Sequence, residues 1–280
     1  MNLEPKTLYL VGTPIGNLED ITFRAVSVLK NADLIAAEDT RHTGKLLKHF
    51  QILTPQLSYH QHNHQQRHQE LLRRLQKGEA IALVTDAGMP SISDPGYELV
   101  KACLDAGISV VPIPGVTAII TALAASGLPG ERFIFEGFLP YKNKPRQEQL
   151  NSLKLETRTL IFYEAPHNLL QTLKDLARTL GANRFLVLAR ELTKIHEEFW
   201  RGTIREAITL YEEERQPKGE YTLVIAGAEK NSTLHLSEAE LKSELQQLLK
   251  QGMTRSQASR HLAELTSFSR REIYQLTLEN

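Results

Sequence analysis

Short apolar runs alternate with longer stretches whose apolar residues recur every three or four positions. Thr7–Val11 (TLYLV), Asp33–Ala37 (DLIAA), Ala80–Thr85 (AIALVT) and Ser109–Ile113 (SVVPI) are brief and bounded by polar residues, proline or glycine, which predicts buried strands. Between them, Ile21–Lys30, Thr40–Phe50, Gln65–Lys77 and Tyr97–Ala106 carry the spacing of amphipathic helices. Asp20 stands where the first of these helices needs an N-cap, and Gly78 and Gly107 stand where two others must end. Strand–helix–strand alternation of this kind predicts a largely parallel sheet covered on both faces.

The pattern changes at Pro112–Gly115. A helical run, Val116–Ala125, is framed by Pro/Gly turns on both sides and reads as the crossing into a second domain. Strands are predicted at Arg132–Phe138, Thr159–Tyr163, Phe185–Ala189, Glu197–Arg201 and Tyr221–Ala226, with helices at Arg146–Leu155, Pro166–Leu180 and Ile204–Glu213. This half is again α/β, and a mixed sheet suits its strand order better than a parallel one. From Ser237 the pattern is wholly helical, with Ser237 and Thr254 as caps, and reads as a small helix-turn-helix-like module. The fold class is therefore α/β, with an N-terminal α/β domain over 1–115, a second over 116–229 and a helical tail over 230–280.

Length supports this division, since 280 residues suffice for two compact domains with an appendage. No apolar run reaches the roughly 18 residues of a membrane span, and the first residues lack a charged-then-apolar signal pattern. The single cysteine, Cys103, excludes an intramolecular disulfide framework and multi-cysteine zinc sites; it falls on an amphipathic helix as a packing residue. A cytoplasmic address is expected. The 33 basic and 33 acidic residues cancel, so global charge does not announce a nucleic-acid partner. Local clusters do change the picture: Arg41, His42, Lys45, Lys48 and His49; Lys142, Lys144 and Arg146; and Lys250, Arg255, Arg260, Arg270 and Arg271, opposed only by Glu264. Such clusters can follow a phosphate backbone, or be no more than solvated helix faces.

Three loops carry the chemistry. Val11–Asp20 (VGTPIGNLED) leaves the first strand with Gly12 and Gly16 around Pro14, a turn that lets backbone N–H groups approach a ligand. Its G-x-x-x-G spacing, with proline inside, departs from the dinucleotide-binding G-x-G-x-x-G, although Glu38 and Asp39 lie about twenty residues on. Thr85–Gly96 (TDAGMPSISDPG) follows another strand and is longer than a plain connection of about four to six residues. Asp86 stands at that strand's C-terminal end, and at Ala87–Met89 the backbone can meet a polar ligand with no large side chain at Gly88. The bland alternative, Asp94 as a helix cap with Pro95 in the first turn, explains only the end of this loop. Pro112–Ala118 (PIPGVTA) is the third. Three such loops at strand ends converge on one sheet edge and form a small-molecule site.

In order, VGTPIGNLEDIT, LIAAEDTRHT, LVTDAGMPSISDPGYELV, PGVTAIITALAASGLP, FEGFLP, TLIFYEAPHNL, LARELTKIHEEFWRGT and GEYTLVIAG closely resemble the bacterial 16S rRNA (cytidine-2′-O)-methyltransferases of the tetrapyrrole-methylase-like superfamily, the class III methyltransferases. The resemblance spans residues 6–228 and continues more weakly into the tail. It implies two α/β domains holding S-adenosyl-L-methionine in the cleft between them, a homodimer, and a cytidine of the decoding centre of 16S rRNA in the small ribosomal subunit as target. Carried over by position, it puts the methionine end and ribose of the cofactor near Ala87, Gly88, Met89 and Ile92, with Thr117 and Ala118 as further contacts. Glu164 in FYEAP and Leu192 in RELT surround it from the second domain, and Pro14 lines the substrate side. Porphyrin-methylating relatives carry G-x-G-x-G-D in the first loop where this chain has GTPIGN, which favours the rRNA branch. The other readings are a porphyrinoid methyltransferase and a non-catalytic ribosome-binding module.

The polar residues expected near the cleft are Asp39, Arg41, His60 and Asp86. Arg41 can hold a phosphate, and Asp39 or His60 can accept the proton of a ribose hydroxyl. Equally, Asp39 can cap the helix at Thr40 and Arg41 can pair with it. His60, His62, His64 and His68 have spacings a zinc ion could use, but no cysteine lies nearby and Asn63 and several glutamines mark a solvated loop, so no metal is expected. Trp200 reads as a packing residue.

Overall fold

The computed structural model describes residues 2–229, 236–250, 252–266 and 268–278. The expected boundary at 229/230 and the side chains of His64, Lys250 and Glu264 lie outside the described residues. Contacts divide the chain into two compact units, residues 1–151 with 158–226, and residues 152–157 with 227–280.

The larger unit opens with β1 (Thr7–Val11), α1 (Phe23–Asn31), β2 (Leu34–Ala37), α2 (Thr40–His49), β3 (Gln56–Ser58), α3 (His64–Gln76), β4 (Ala80–Val84), α4 (Tyr97–Asp105) and β5 (Ser109–Ile113). These strands form one sheet in the order β3-β2-β4-β1-β5, with every pairing parallel. The burial explains the sequence pattern: all five residues of β4 and all four of β2 are buried, as strands covered on both faces require. One face packs Val28, Leu29, Leu46 and Leu47 from α1 and α2; the other packs Leu71, Leu75, Leu99 and Cys103 from α3 and α4. Cys103 is the packing residue its helix position implies.

Two details correct the sequence reading. Asp20 does not cap α1: it closes a single 3₁₀ turn, Leu18–Asp20, and Thr22 beside Phe23 accepts the Ala25 N–H at 3.0 Å instead. β3 has no counterpart among the predicted strands. Its three half-buried residues are too few to show a period, and pairing with β2 holds the segment in place.

The unit continues with α5 (Ala118–Ser126), β6 (Phe133–Phe138), α6 (Asn143–Ser152), β7 (Thr159–Glu164), α7 (Leu169–Leu180), β8 (Phe185–Arg190), β9 (Glu198–Thr203), α8 (Ile204–Thr209) and β10 (Tyr221–Ile225). The second sheet runs β6-β7-β10-β8-β9, with β6 and β7 parallel and the other pairs antiparallel, so the sheet is mixed. α5 lays Ile119, Ala122 and Leu123 against Ile161, Val187 and Val224 of this sheet. Trp200 is half-buried within β9.

The smaller unit carries α9 (Glu238–Lys250), α10 (Arg255–Leu265) and α11 (Arg270–Leu276) around Leu241, Leu245, Leu248, Ala258, Leu262 and Ile273. Ser237 pairs with Glu240, Thr254 with Gln257 and Ser269 with Glu272 in reciprocal caps, so every start is specified locally. Arg255, Arg260, Arg270 and Arg271 are all exposed.

Candidate active site

β4, β1 and β5 are neighbours in the first sheet, so the turns that follow them leave one edge side by side. Glycine makes their approach possible. A Cβ on Gly12 would lie 2.8 Å from the Gly115 Cα and 2.8 Å from the Met89 Sδ, so the three loops touch where only hydrogen fits. Thr13 and Gly88 exchange two backbone hydrogen bonds of 2.9 and 3.0 Å, and the Thr13 hydroxyl donates to the Thr85 carbonyl at 3.0 Å. The second loop is bent sharply: Gly88, Ser91, Ser93 and Gly96 all have positive φ. Such backbone on two serines is held only by its surroundings, and it clusters at ligand sites. Gly96, not Asp94, occupies the N-cap of α4, which leaves the Asp94 carboxyl free to face inward.

The loops open onto a cavity of about 560 Å³ within the larger unit, closed on its other side by Phe138, Tyr163–His167, Ala189, Leu192 and Glu220–Thr222. Its lining carries the carboxylates Glu38, Asp86, Asp94, Glu164 and Glu220 and neither lysine nor arginine. Glu38 accepts hydrogen bonds from the Thr85 hydroxyl at 2.5 Å and the Asp86 N–H at 3.3 Å, which ties the end of β2 to that of β4. Desolvation, reinforced by Glu38, pushes the Asp94 carboxyl up to about 6 and raises Asp86 as well. Tyr163 is likewise pushed up to about 12 by burial and by Asp94. Glu164 is almost fully buried; it accepts from the Ala165 N–H at 2.9 Å and from the Thr172 hydroxyl.

Of the residues singled out in sequence, Asp86, Ala87, Gly88, Met89, Ile92, Thr117, Ala118, Glu164 and Leu192 line this cavity. Pro14, Asp39, Arg41 and His60 are not in its lining. Asp39 caps α2, accepting from the Arg41 N–H at 2.8 Å, and the Arg41 guanidinium grips both its oxygens at 3.1 and 2.7 Å. That grip holds the Asp39 carboxyl far below the usual range. Its backbone N–H donates to Asp86, which places the pair beside the cavity's wall. The His60 N–H donates to Asn63, and its ring nitrogen Nδ1 accepts from the His62 N–H. Among the described residues no cluster of three or more histidine, cysteine or acidic residues could hold a metal.

Several lining residues are not assigned to the site by the sequence. Glu38 is named there only in the dinucleotide comparison and Asp94 only as a helix cap; for Asp94 the available signal was its place in the Gly/Pro-rich second loop, and for Glu38 its position beside Asp39 at the end of β2. Phe138, Tyr163 and Tyr221 come from strands of the second sheet and His167 from the short 3₁₀ turn Pro166–Asn168 after β7, where ordinary residues carry no local mark.

The family model for the Tetrapyrrole (Corrin/Porphyrin) Methylases matches residues 7–208, which takes in both sheets up to α8. The chain belongs to this family. Within it, the chain is 62% identical over 272 residues to a protein of Synechocystis sp. named ribosomal RNA small subunit methyltransferase I, covering 97% of each. Proteins of the same name from Pasteurella multocida (47% identical, 100% of this chain and 99% of the relative) and Escherichia coli O157:H7 (52%, 84% and 85%) are also similar. Solved structures share the fold of this methylase at lower identity. A cobalt precorrin-4 methyltransferase superposes with a TM-score of 0.59 at 18% identity, over 79% of this chain and 95% of that one. A uroporphyrin-III C-methyltransferase of Thermus thermophilus, complexed with S-adenosylhomocysteine, gives 0.57 at 19% over 79% and 97%.

Proposed function

We propose that this methylase transfers a methyl group from S-adenosyl-L-methionine to the 2′-hydroxyl of a cytidine in the decoding centre of 16S rRNA, within the small ribosomal subunit. The observation that carries the cofactor reading is the electrostatics of the cavity. A lining with five carboxylates and no lysine or arginine suits a cationic ligand, and it repels the phosphates of a nucleotide cofactor. The glycine cradle fits as well, since a Cβ at Gly88 would meet nothing nearer than 3.8 Å and the backbone there is open to a ligand. Ala87, Gly88, Met89, Ile92, Thr117, Ala118, Glu164 and Leu192 would hold the cofactor, with Asp86 beside them. When bound, it supplies a methyl group already activated on a sulfonium.

The chain's own residues then have two tasks. Holding the reacting atoms in line can supply roughly 7–11 kcal/mol, and a general base a further factor of about 10²–10⁴. Asp94 is the best-placed proton acceptor: it lines the cavity and its acidity lies near neutrality. Asp39 is weakened as a base by the Arg41 grip, and that pair instead serves the rim, with Arg41 toward a phosphate. Arg41, His42, Lys45, Lys48 and His49 are exposed along α2, a basic face adjoining an acidic cavity, as a phosphodiester chain with one nucleoside turned inward requires. Support for the rRNA substrate comes from the named relatives, which match nearly the whole chain.

The remaining assignments belong to the same proposal: domains over 1–115 and 116–229, a helical tail over 230–280, a homodimer, and a cytoplasmic location. No described helix is long and apolar enough to cross a membrane. The deciding experiment offers the labelled cofactor with assembled small subunits, naked 16S rRNA and a porphyrin precursor side by side. Label on a ribose of the rRNA supports the reading. Label on the porphyrin precursor alone, or none in any arm, overturns it.

A further inference from the structure

Behind Glu164, away from the cavity, lies a chain of buried polar groups that the methyl-transfer scheme does not use. Glu164 accepts the hydroxyl proton of Thr172, which is completely buried on α7. The same Thr172 oxygen accepts from the Arg146 guanidinium of α6 at 2.7 Å. Arg146 also donates to Asp175 at 2.7 Å, and Asp175 is nearly buried and held further by Gln171 at 3.0 Å and by Arg178. In sequence Arg146 looks like part of a basic patch with Lys142 and Lys144. In the structure its side chain is only 12% exposed and is committed inward.

A threonine hydroxyl has a single hydrogen. Because Arg146 can only donate, Thr172 must accept from it and spend its one hydrogen on Glu164. The arginine thereby fixes the hydroxyl's direction and polarises it, which strengthens the bond to the carboxylate. Two of the roughly four acceptor positions of the Glu164 carboxylate are taken by Ala165 and Thr172, and the group lines the cavity with the rest.

We propose that Arg146 is a positioning residue for cofactor binding, acting through Thr172 to hold Glu164 as an oriented acceptor for an N–H or O–H group of S-adenosyl-L-methionine. This assignment rests on the reading of the cavity as the cofactor site. Asp175 completes it: with its counter-charge Arg146 is paired, so an arginine can be buried behind the site without a net charge.

The test is calorimetric titration of S-adenosylhomocysteine into the whole protein and three variants, with thermal unfolding of each. Thr172→Val keeps the shape and removes the hydroxyl, and it should weaken binding about tenfold. Thr172→Ser should restore affinity to within about twofold of the parent protein. Arg146→Lys keeps the charge but loses the rigid fork by which Nε holds Asp175 while Nη2 holds Thr172, and it should weaken binding about fivefold, which keeps the test open if the valine variant does not fold. A merely structural role lowers melting temperature in Thr172→Val or Arg146→Lys while the folded protein binds as before, and that result overturns the assignment alone. If the parent protein itself takes up no S-adenosylhomocysteine, the cofactor reading falls and this assignment with it.

Discussion

Gly12→Ala isolates the contact that brings the three loops together. The added methyl would stand 2.8 Å from the Gly115 Cα, 2.9 Å from its nitrogen and 2.8 Å from the Met89 Sδ. Met89 could swing away, but the Gly115 backbone cannot, because Gly12 is itself tied to the Ile113 carbonyl at 3.2 Å and Thr13 to Gly88 on both sides. Overpacking of this kind costs about 1–3 kcal/mol, and alanine's smaller unfolded-state entropy returns about 0.4–1 kcal/mol. At the middle of both ranges the net loss is about 1.3 kcal/mol, or about 3–5 °C in Tm at about 2–4 °C per kcal/mol. A stability loss alone would not discriminate, so Gly78→Ala is the control. Gly78 has φ +99° in open space at the other end of β4, and alanine there costs a similar about 1–2 kcal/mol through its backbone. The two variants differ at the ligand. Gly12→Ala displaces Gly88 and Met89, which line the cavity, and should weaken S-adenosylhomocysteine binding at least tenfold, about 1.4 kcal/mol. Gly78→Ala should bind like the parent protein. Equal affinities in the two variants would refute the claim that this close approach shapes the site.

Gly88→Arg should nearly abolish cofactor binding in a folded protein, because the side chain enters the cavity beside the bridge to Thr13; unchanged calorimetric affinity would remove Gly88 from the site. Asp94→Asn should lower single-turnover methyl transfer about 10²-fold, more than Asp39→Ala or His60→Ala does, and the reverse order would return the base to one of those residues. The Asp94 carboxyl titrates higher in the folded protein than in the unfolded chain, so its protonated form favours folding. That contribution is complete below about pH 4 and is lost as pH rises through about 6. In urea melts Asp94→Asn should therefore gain on the parent protein between those values, and a constant difference would show that Asp94 is not buried as described. Replacing Arg255, Arg260 and Arg271 by Glu should leave S-adenosylhomocysteine affinity intact and weaken binding to small subunits with a reduced salt dependence, whereas unchanged subunit affinity would make the tail a packing element.

The first sheet was readable because its central strands β1, β2 and β4 are buried on both faces and α3 and α4 end at Gly78 and Gly107, both at positive φ. Local chemistry of that kind writes itself into short stretches of sequence. β3 escaped since three residues at an edge are placed by their neighbour and not by their own pattern. Asp20 was the wrong cap because two further residues, Ile21 and Thr22, stay extended before α1 begins, and Thr22 can cap as an aspartate can.

The site shows a sharper limit. Strand order decides that the turns after β1, β4 and β5 are neighbours, and order is a property of the whole sheet, so sequence could list the loops but not say which groups meet. Glu38 illustrates the consequence. Beside Asp39 in AAEDTRHT it invites the same expectation, yet the alternation of a strand end sends the two carboxylates apart. Glu38 joins Thr85 and the cavity, while Asp39 turns to cap α2 and bind Arg41. Arg146 went astray for the same reason in reverse: its basic neighbours Lys142 and Lys144 suggest a solvent face, and only the packing of α6 on α7 reveals Thr172 and Asp175 as its partners. For Glu38 and Arg146 the role is settled by a partner across the fold, Thr85 at 47 residues' separation and Thr172 at 26, and no window of local sequence spans either pair.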